Sequence, residues 1–249
     1  MGMITNIKRF TGIGELRIVN PFAFRIGQDR RMLRHRGTPA DKNVIRQMFQ
    51  YEDYSFNHLR RGTELIEMYN ALDRPLIIDA GANIGASVCW FQKNFPRAHV
   101  VAFEPEDHNF ELLRTNTSDL NVELHHSAVG ATEGTVALID PGQGEWGYQT
   151  RDDNTANVKR ESLARVIASK IAEGFVPFIA KIDIEGGEDD LFSSNTDWVD
   201  QFPVIIIELH DWLLPQRGTS QNFLRCIANR NRDFVHIGEN IFSIQILSH

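Results

Sequence analysis

The stretch Asp79-Ala80-Gly81-Ala82-Asn83-Ile84-Gly85 decides how this chain is read. The apolar run Leu76-Ile77-Ile78 leads into it, and Val88, Phe91 and Phe95 follow at helical spacing. The segment therefore reads as strand, glycine turn and helix. In an open α/β sheet such a turn lies outside the carboxyl ends of the strands, where ligands bind. Glycine allows tight turns and close backbone approach, and the following helix aims free N–H groups at a ligand carboxylate. A nicotinamide dinucleotide would ask for Gly-x-Gly-x-x-Gly. Counted from Gly81, that pattern needs glycine where Asn83 and Ala86 stand, so a pyrophosphate site is disfavoured.

Working outward, His99 to Phe103 reads as the next strand and ends at Glu104-Pro105, with Glu104 23 residues after Gly81. A carboxylate there can accept hydrogen bonds from both ribose hydroxyls; the alternative is that Glu104 caps the helix expected over Asp107 to Asn116. Val122 to His126 is a third strand, Phe178 to Asp183 a fourth and Val204 to Glu208 a fifth. Strands alternating with helices predict a doubly wound, mostly parallel sheet. Helices are expected over Glu161 to Glu173, with Leu163, Val166, Ile167 and Ile171 on one face, and near Ser220 to Asn229. Phe234 to Ile237 and Ile241 to Leu247 suit a terminal antiparallel pair. Gly130 to Gly147, with five glycines and one proline, reads as an insertion or loop at one end of the sheet.

Two further motifs place acids at strand mouths: Lys181-Ile182-Asp183-Ile184-Glu185-Gly186-Gly187-Glu188 and Glu208-Leu209-His210-Asp211. Buried carboxylates are expensive unless paired, so several at one edge mark a site. Glu188 to Asp190 are read instead as the acidic start of a helix.

Residues 1–74 form an N-terminal extension ahead of a domain over 75–249. Thr38-Pro39-Ala40-Asp41 is a helix start, with Val44, Ile45, Met48 and Phe49 on one face. A second helix is expected over Phe56 to Leu72, with Leu65, Ile66 and Tyr69 inward. These helices, with Tyr51 and Tyr54, are read as a lid or part of the acceptor pocket. Arg30, Arg31, Arg34, His35 and Arg36 are read as a solvated basic loop. The net charge of -7 disfavours a nucleic-acid partner. Cys89 and Cys226 are read as core residues. No stretch approaches the ~20 apolar residues that span a bilayer, and with no apolar secretory segment read at the N-terminus the expected location is cytoplasmic.

Taken together, Ile78 to Gly85, Ala102-Phe103-Glu104-Pro105, Ala128-Val129-Gly130 and Lys181-Ile182-Asp183-Ile184-Glu185-Gly186 resemble the FkbM family of S-adenosylmethionine-dependent methyltransferases over roughly residues 75–210. The resemblance implies a class I (Rossmann-like) methyltransferase fold, with a seven-stranded sheet whose last pair includes an antiparallel strand. It also implies O-methylation of a hydroxyl on a sugar, glycolipid or natural product. Carried over residue by residue, it places Asp79, Gly81, Asn83 and Gly85 at the methionine part of S-adenosylmethionine. Glu104 and Asn109 fall on the ribose side, and Ser127 and Ala128 beside the adenine. Family sequences often carry Leu-Asp where this chain has Leu163-Ala164, so any role of that Asp is absent or moved.

For the transfer step, His210 is the first candidate for the base because it sits at a strand mouth and titrates near neutrality. Asp183 is the rival, with Glu185 beside it. Asp183, Glu185, Glu208 and His210 can alternatively be read as holding Mg²⁺ or Ca²⁺, a reading held second to a metal-free site. Trp146 and Tyr148, flanked by glycines, are candidates to stack on a small-molecule or glycan acceptor. Two other functions stay open from the residues alone: a NAD-type oxidoreductase and a non-catalytic cofactor-binding module.

Overall fold

A computed structural model describes residues 18–139, 149–151 and 158–246. The described residues open with a hairpin of β1 (Phe22–Ile26) and β2 (Asp29–Leu33), then α1 (Pro39–Phe49), a 3-10 turn (Phe56–His58) and α2 (Gly62–Ala71). The central run is β3 (Pro75–Ala80), α3 (Ala86–Asn94), β4 (His99–Phe103), α4 (Asp107–Asn116) and β5 (Val122–His125). Four short strands follow: β6 (Ala128–Gly130), β7 (Gly134–Ile139), β8 (Gln149–Arg151) and β9 (Val158–Ser162). The remainder is α5 (Leu163–Ala172), β10 (Val176–Ile182), α6 (Glu188–Leu191), a 3-10 turn (Thr196–Gln201), β11 (Val204–Glu208), α7 (Gln221–Ala228), β12 (Arg232–Ile237) and β13 (Asn240–Gln245).

Seven strands form the main sheet in the order β12-β13-β11-β10-β3-β4-β5. From β5 to β11 every pairing is parallel; β13 runs antiparallel to both β11 and β12. This is the doubly wound class I methyltransferase order that the resemblance implies. The reason lies in the strands themselves. All six residues of β3 are buried, as are the first four of β11, because strands covered on both faces read as continuous apolar runs. Their side chains alternate between two cores. Ile77, Val100, Ile179 and Ile206 face α3 and the N-terminal segment. Leu76, Val101, Ala180 and Ile207 face Leu163, Ile167, Phe223 and Ile227 of α5 and α7.

The segment before β3 is built into the first of these cores. Phe22, Phe24, Ile45, Met48, Tyr54, Leu65 and Tyr69 join one cluster with Phe91, Phe95 and Phe178. Tyr54 stacks on Phe91 with ring centroids 5.7 Å apart.

Several expectations need correction. The helix expected over Phe56 to Leu72 is interrupted between His58 and Gly62, where α2 begins, and Ile66 is 40% exposed rather than inward. The basic run is no loose loop: Arg30 and Arg31 lie in β2, His35 is buried against the backbone of Val19 and Gly37, and Arg31 and Arg36 pair with Asp119 and Asp41. Glu161 is in β9, not in a helix; α5 starts at Leu163, and Ile171 is exposed. The region after β5 is a second sheet, β6-β9-β7-β8, rather than a plain loop. Its strands are short, three residues in β6 and five in β9, so they carry little periodic signal.

Candidate active site

The chain leaves β5, returns through the second sheet and α5, and re-enters the main sheet at β10 beside β3. This reversal of strand order makes the carboxyl edge of β3 and β10 the expected ligand crevice. A cavity of about 380 Å³ opens there. Gly81, Asn83, Glu104, Asn109, Ser127 and Ala128 line one part of it; Lys181, Asp183, Glu185 and Glu208 line another.

Gly81 makes this closeness possible. Its φ is +81°, and a Cβ there would collide with the backbone carbonyl of Asp183. The loop is pinned by Phe103, whose carbonyl accepts from Gly81 N (3.0 Å) and Ala82 N (2.9 Å). Asn83 adopts φ 49° and donates its amide to Glu104 Oε2 at 2.7 Å. Gly85, also left-handed, starts α3 and packs on Leu113 of α4, off the cavity wall. No side chain caps α3, and Ser87 in its first turn lines the cavity, so the first-turn amides are left for an anionic ligand.

Glu104 is 5% exposed. Burial pushes its pKa up to about 7, against the opposing hydrogen bonds from Glu106 N, Asn83 N and the Asn109 side chain. The alternative reading of Glu104 as a helix cap falls, because Glu106 caps α4 by accepting from Asn109 N. Asn109 also accepts from Arg36 at 2.9 Å, which ties the N-terminal segment to this wall. The Ser127 hydroxyl donates to Glu161 at 2.8 Å.

Asp79 does not reach the cavity wall. It is fully buried beneath the loop with Lys181 Nζ 3.2 Å from its Oδ1. The same ammonium donates to Gly81 O at 2.6 Å and Ala80 O at 3.2 Å, and stands 3.5 Å from Asp183 Oδ2. Burial opposes this charge, but Asp79 and Asp183 outweigh it and hold Lys181 protonated. Lys181 has no role assigned by the motif, but a lysine inside the apolar run of β10 is itself a signal of a paired buried charge.

His210 is nearly enclosed, its side chain 1% exposed, and it lies behind Asp183 rather than on the cavity wall. Its Nδ1 hydrogen-bonds Glu188 Oε1 at 2.8 Å. Its Nε2 faces Asp183 Oδ1 (3.5 Å), Glu185 Oε2 (3.5 Å) and Glu208 Oε1 (3.7 Å). Burial works against an imidazolium, but Glu188, Asp183 and Glu185 push its pKa up to about 10. Glu185 and Glu208 are raised, first by burial and then by the charge of Asp183. Glu188, read from sequence as a helix-start acid, does open α6, but it is fully buried against His210. Nothing in its spacing announces that contact.

A family model, described as methyltransferase FkbM domain, matches residues 79–236. The chain belongs to the FkbM methyltransferase family. The match covers the loop, Glu104, Asp183 and His210. Among relatives of the FkbM chain, "Methyltransferase 1" of Beauveria bassiana (strain ARSEF 2860) is 27% identical over 166 residues, 56% of this chain and 66% of that protein. "Methyltransferase sdnD" of Sordaria araneosa is 31% identical over 77 residues, 29% of each chain. The FkbM chain thus spans just under two thirds of the first relative and less than a third of the second. A Podospora anserina methyltransferase, PaMTH1, solved with SAH bound, is 10% identical with a TM-score of 0.42, covering 83% of this chain and 88% of that one.

The N-terminal helix expected beside the pocket does contribute to its wall: Asn43, Val44, Gln47 and Met48 of α1 line the cavity with Tyr54. Trp212, 62% exposed, lines it as well and carries no role in the sequence motifs. An aromatic two residues past His210 was the available signal for Trp212. Trp146 and Tyr148 lie outside the described residues. Among the described residues, no helix is long and apolar enough to cross a membrane.

Proposed function

We propose that this FkbM chain transfers a methyl group from S-adenosylmethionine to a hydroxyl of a small-molecule or glycan acceptor. The observation that carries the reading is that one cavity joins a glycine loop and Glu104 to the carboxylate of Asp183. The residues suit the cofactor. The volume falls within the range of ligand pockets, the α3 amides suit a carboxylate, and Glu104 suits a ribose diol. Ser127, Ala128 and Val129 form the wall for the adenine.

When bound, the cofactor supplies an electrophilic methyl on a sulfonium. The protein's own residues align and deprotonate. Lys181 locks the carbonyls of Ala80 and Gly81, so the loop is preorganised for in-line geometry. Asp183, on the cavity wall and 28% exposed, takes the proton of the acceptor hydroxyl. His210 acts behind it as a positioning residue, held by Glu188 and turning its positive charge to Asp183. Trp212 offers the acceptor an apolar face.

The test is a product assay with labelled S-adenosylmethionine and a panel of hydroxyl acceptors, run on wild type and Asp183→Asn. Turnover in the wild type, lost at least about a hundredfold in the variant with cofactor affinity retained, supports the reading. Methyl transfer to nitrogen or carbon acceptors alone contradicts it. Cofactor binding with no product on any acceptor class favours the non-catalytic module.

A further inference from the structure

We infer that Tyr54, from the segment before β3, is a cofactor-binding residue whose hydroxyl donates to the carboxylate of the methionine part of S-adenosylmethionine. The inference rests on the proposed function, because it takes that cofactor as the ligand. Tyr54 is 6% exposed and lines the cavity. Among the described residues its hydroxyl makes no hydrogen bond. Buried tyrosine hydroxyls find partners, since leaving one unpaired costs free energy. A phenol left open on a cavity wall therefore marks the place of a ligand atom.

The ring is held so that its hydroxyl is a fixed point. It stacks on Phe91 at 5.7 Å between centroids and meets Trp90 in a T-shaped contact at 6.1 Å. Both partners belong to α3, the helix whose first-turn amides are left for an anionic ligand. The loop that carries Tyr54 is pinned to the same helix, with Lys93 Nζ 3.2 Å from Glu52 Oε1. Within that loop Ser55 N donates to Glu52 O at 2.7 Å. A donor ordered in advance loses little freedom when a ligand arrives.

The surroundings select the end of the cofactor and the sign of its charge. Burial is the largest influence on the phenol and pushes its pKa up, so the group keeps its proton and is a neutral donor. The charges that act on it are Lys181, the strongest, then Asp183, Asp79 and Glu208. These belong to the edge of β3, β10 and β11, not to the ribose wall of Glu104 and Asn109. Lys181 is turned to the carbonyls of Ala80 and Gly81 and to Asp79, which leaves the phenol proton for a ligand. Asp79 is paired with Lys181, and Asp183 faces His210, so neither acid stands as an unopposed negative charge. A carboxylate beside Tyr54 thus gains the α3 amides and the field of Lys181. The family match begins at residue 79, so Tyr54 lies outside it.

The experiment is calorimetric titration of the full chain, wild type and Tyr54→Phe, with two ligands. One is S-adenosylhomocysteine; the other is its decarboxylated analogue, which keeps the ammonium and lacks only the carboxylate. Phenylalanine preserves the contacts with Phe91 and Trp90 and removes the donor alone. The expected result is that Tyr54→Phe weakens S-adenosylhomocysteine at least about tenfold, since hydrogen bonds to a charged group are the strong ones. Affinity for the analogue should stay within about twofold, as the cycle requires when the lost bond belongs to the carboxylate. Equal loss for both ligands assigns the effect to packing and overturns the inference. Unchanged S-adenosylhomocysteine affinity in the variant overturns it as well, while leaving the proposed function standing. Failure of wild type to bind S-adenosylhomocysteine strikes the proposed function and the inference together.

Discussion

Gly81 and Glu104 do opposite things with burial. Gly81 has no side chain because the Asp183 carbonyl occupies that space, and its φ of +81° adds a second demand. Gly81→Ala should therefore cost more than about 2 kcal/mol, combining backbone strain with a backbone clash; urea denaturation measures it, and a loss under about 0.5 kcal/mol would refute the packing described. Glu104 keeps a carboxylate in a buried wall, which raises its pKa to about 7. Because this folded value lies above the ordinary carboxylate value, the folded chain holds its proton up to about that pH. Ribose hydroxyls donate best to the ionised form. Affinity for S-adenosylhomocysteine should therefore rise as pH climbs toward 7, by up to roughly tenfold per unit, and level off above it. Calorimetry from acid to neutral pH should show that slope in wild type and its loss in Glu104→Ala. Glu104 was legible from sequence because a carboxylate at a strand end beside a glycine loop has few other uses. Glu188 was not, since its meaning lies in His210, 22 residues away and brought near only by the sheet.

Among the elements, α1 matters most for the site after the strands themselves. Thr38 caps it, accepting from Asp41 N at 3.2 Å, and its residues Asn43 to Met48 form one wall of the cavity. Thr38→Ala should cost about 1 kcal/mol of stability, read from urea denaturation, and should weaken acceptor KM more than kcat if the wall contacts the acceptor. This start was readable because Thr-Pro-x-Asp is a local capping signal. The parallel strands were readable for a different reason: strands buried on both faces must be apolar throughout, as in Val204 to Ile207. The β1–β2 hairpin escaped because its exposed residues interrupt the pattern, and the second sheet because its strands are too short to show one. In β2 only Leu33 is buried, and β6 has only three residues.

Across the whole molecule, the segment before β3 is part of the core rather than an appendage. Phe56 and Tyr69 pack on Phe95 and Phe178, which belong to the central domain. A chain beginning at residue 75 would expose that aromatic cluster, and burial of each such ring is worth about 1.5–3 kcal/mol. Such a truncation should lose cooperative thermal unfolding and bind no cofactor; a sharp melting transition would show the domain to be self-sufficient. The boundary drawn at residues 74 and 75 by sequence follows the motifs, while the packing ignores it, because motif density and core membership are different properties.

The central claim is that the loop after β3 and Glu104 together hold S-adenosylmethionine. Calorimetric titration of S-adenosylhomocysteine into wild type and Glu104→Ala at pH 8 tests it most directly. Removing a charged acceptor of two hydroxyls costs roughly 1.5–3 kcal/mol per bond, so one site per chain should weaken at least about tenfold in the variant. No binding to wild type, or equal affinity in the two proteins, would contradict it.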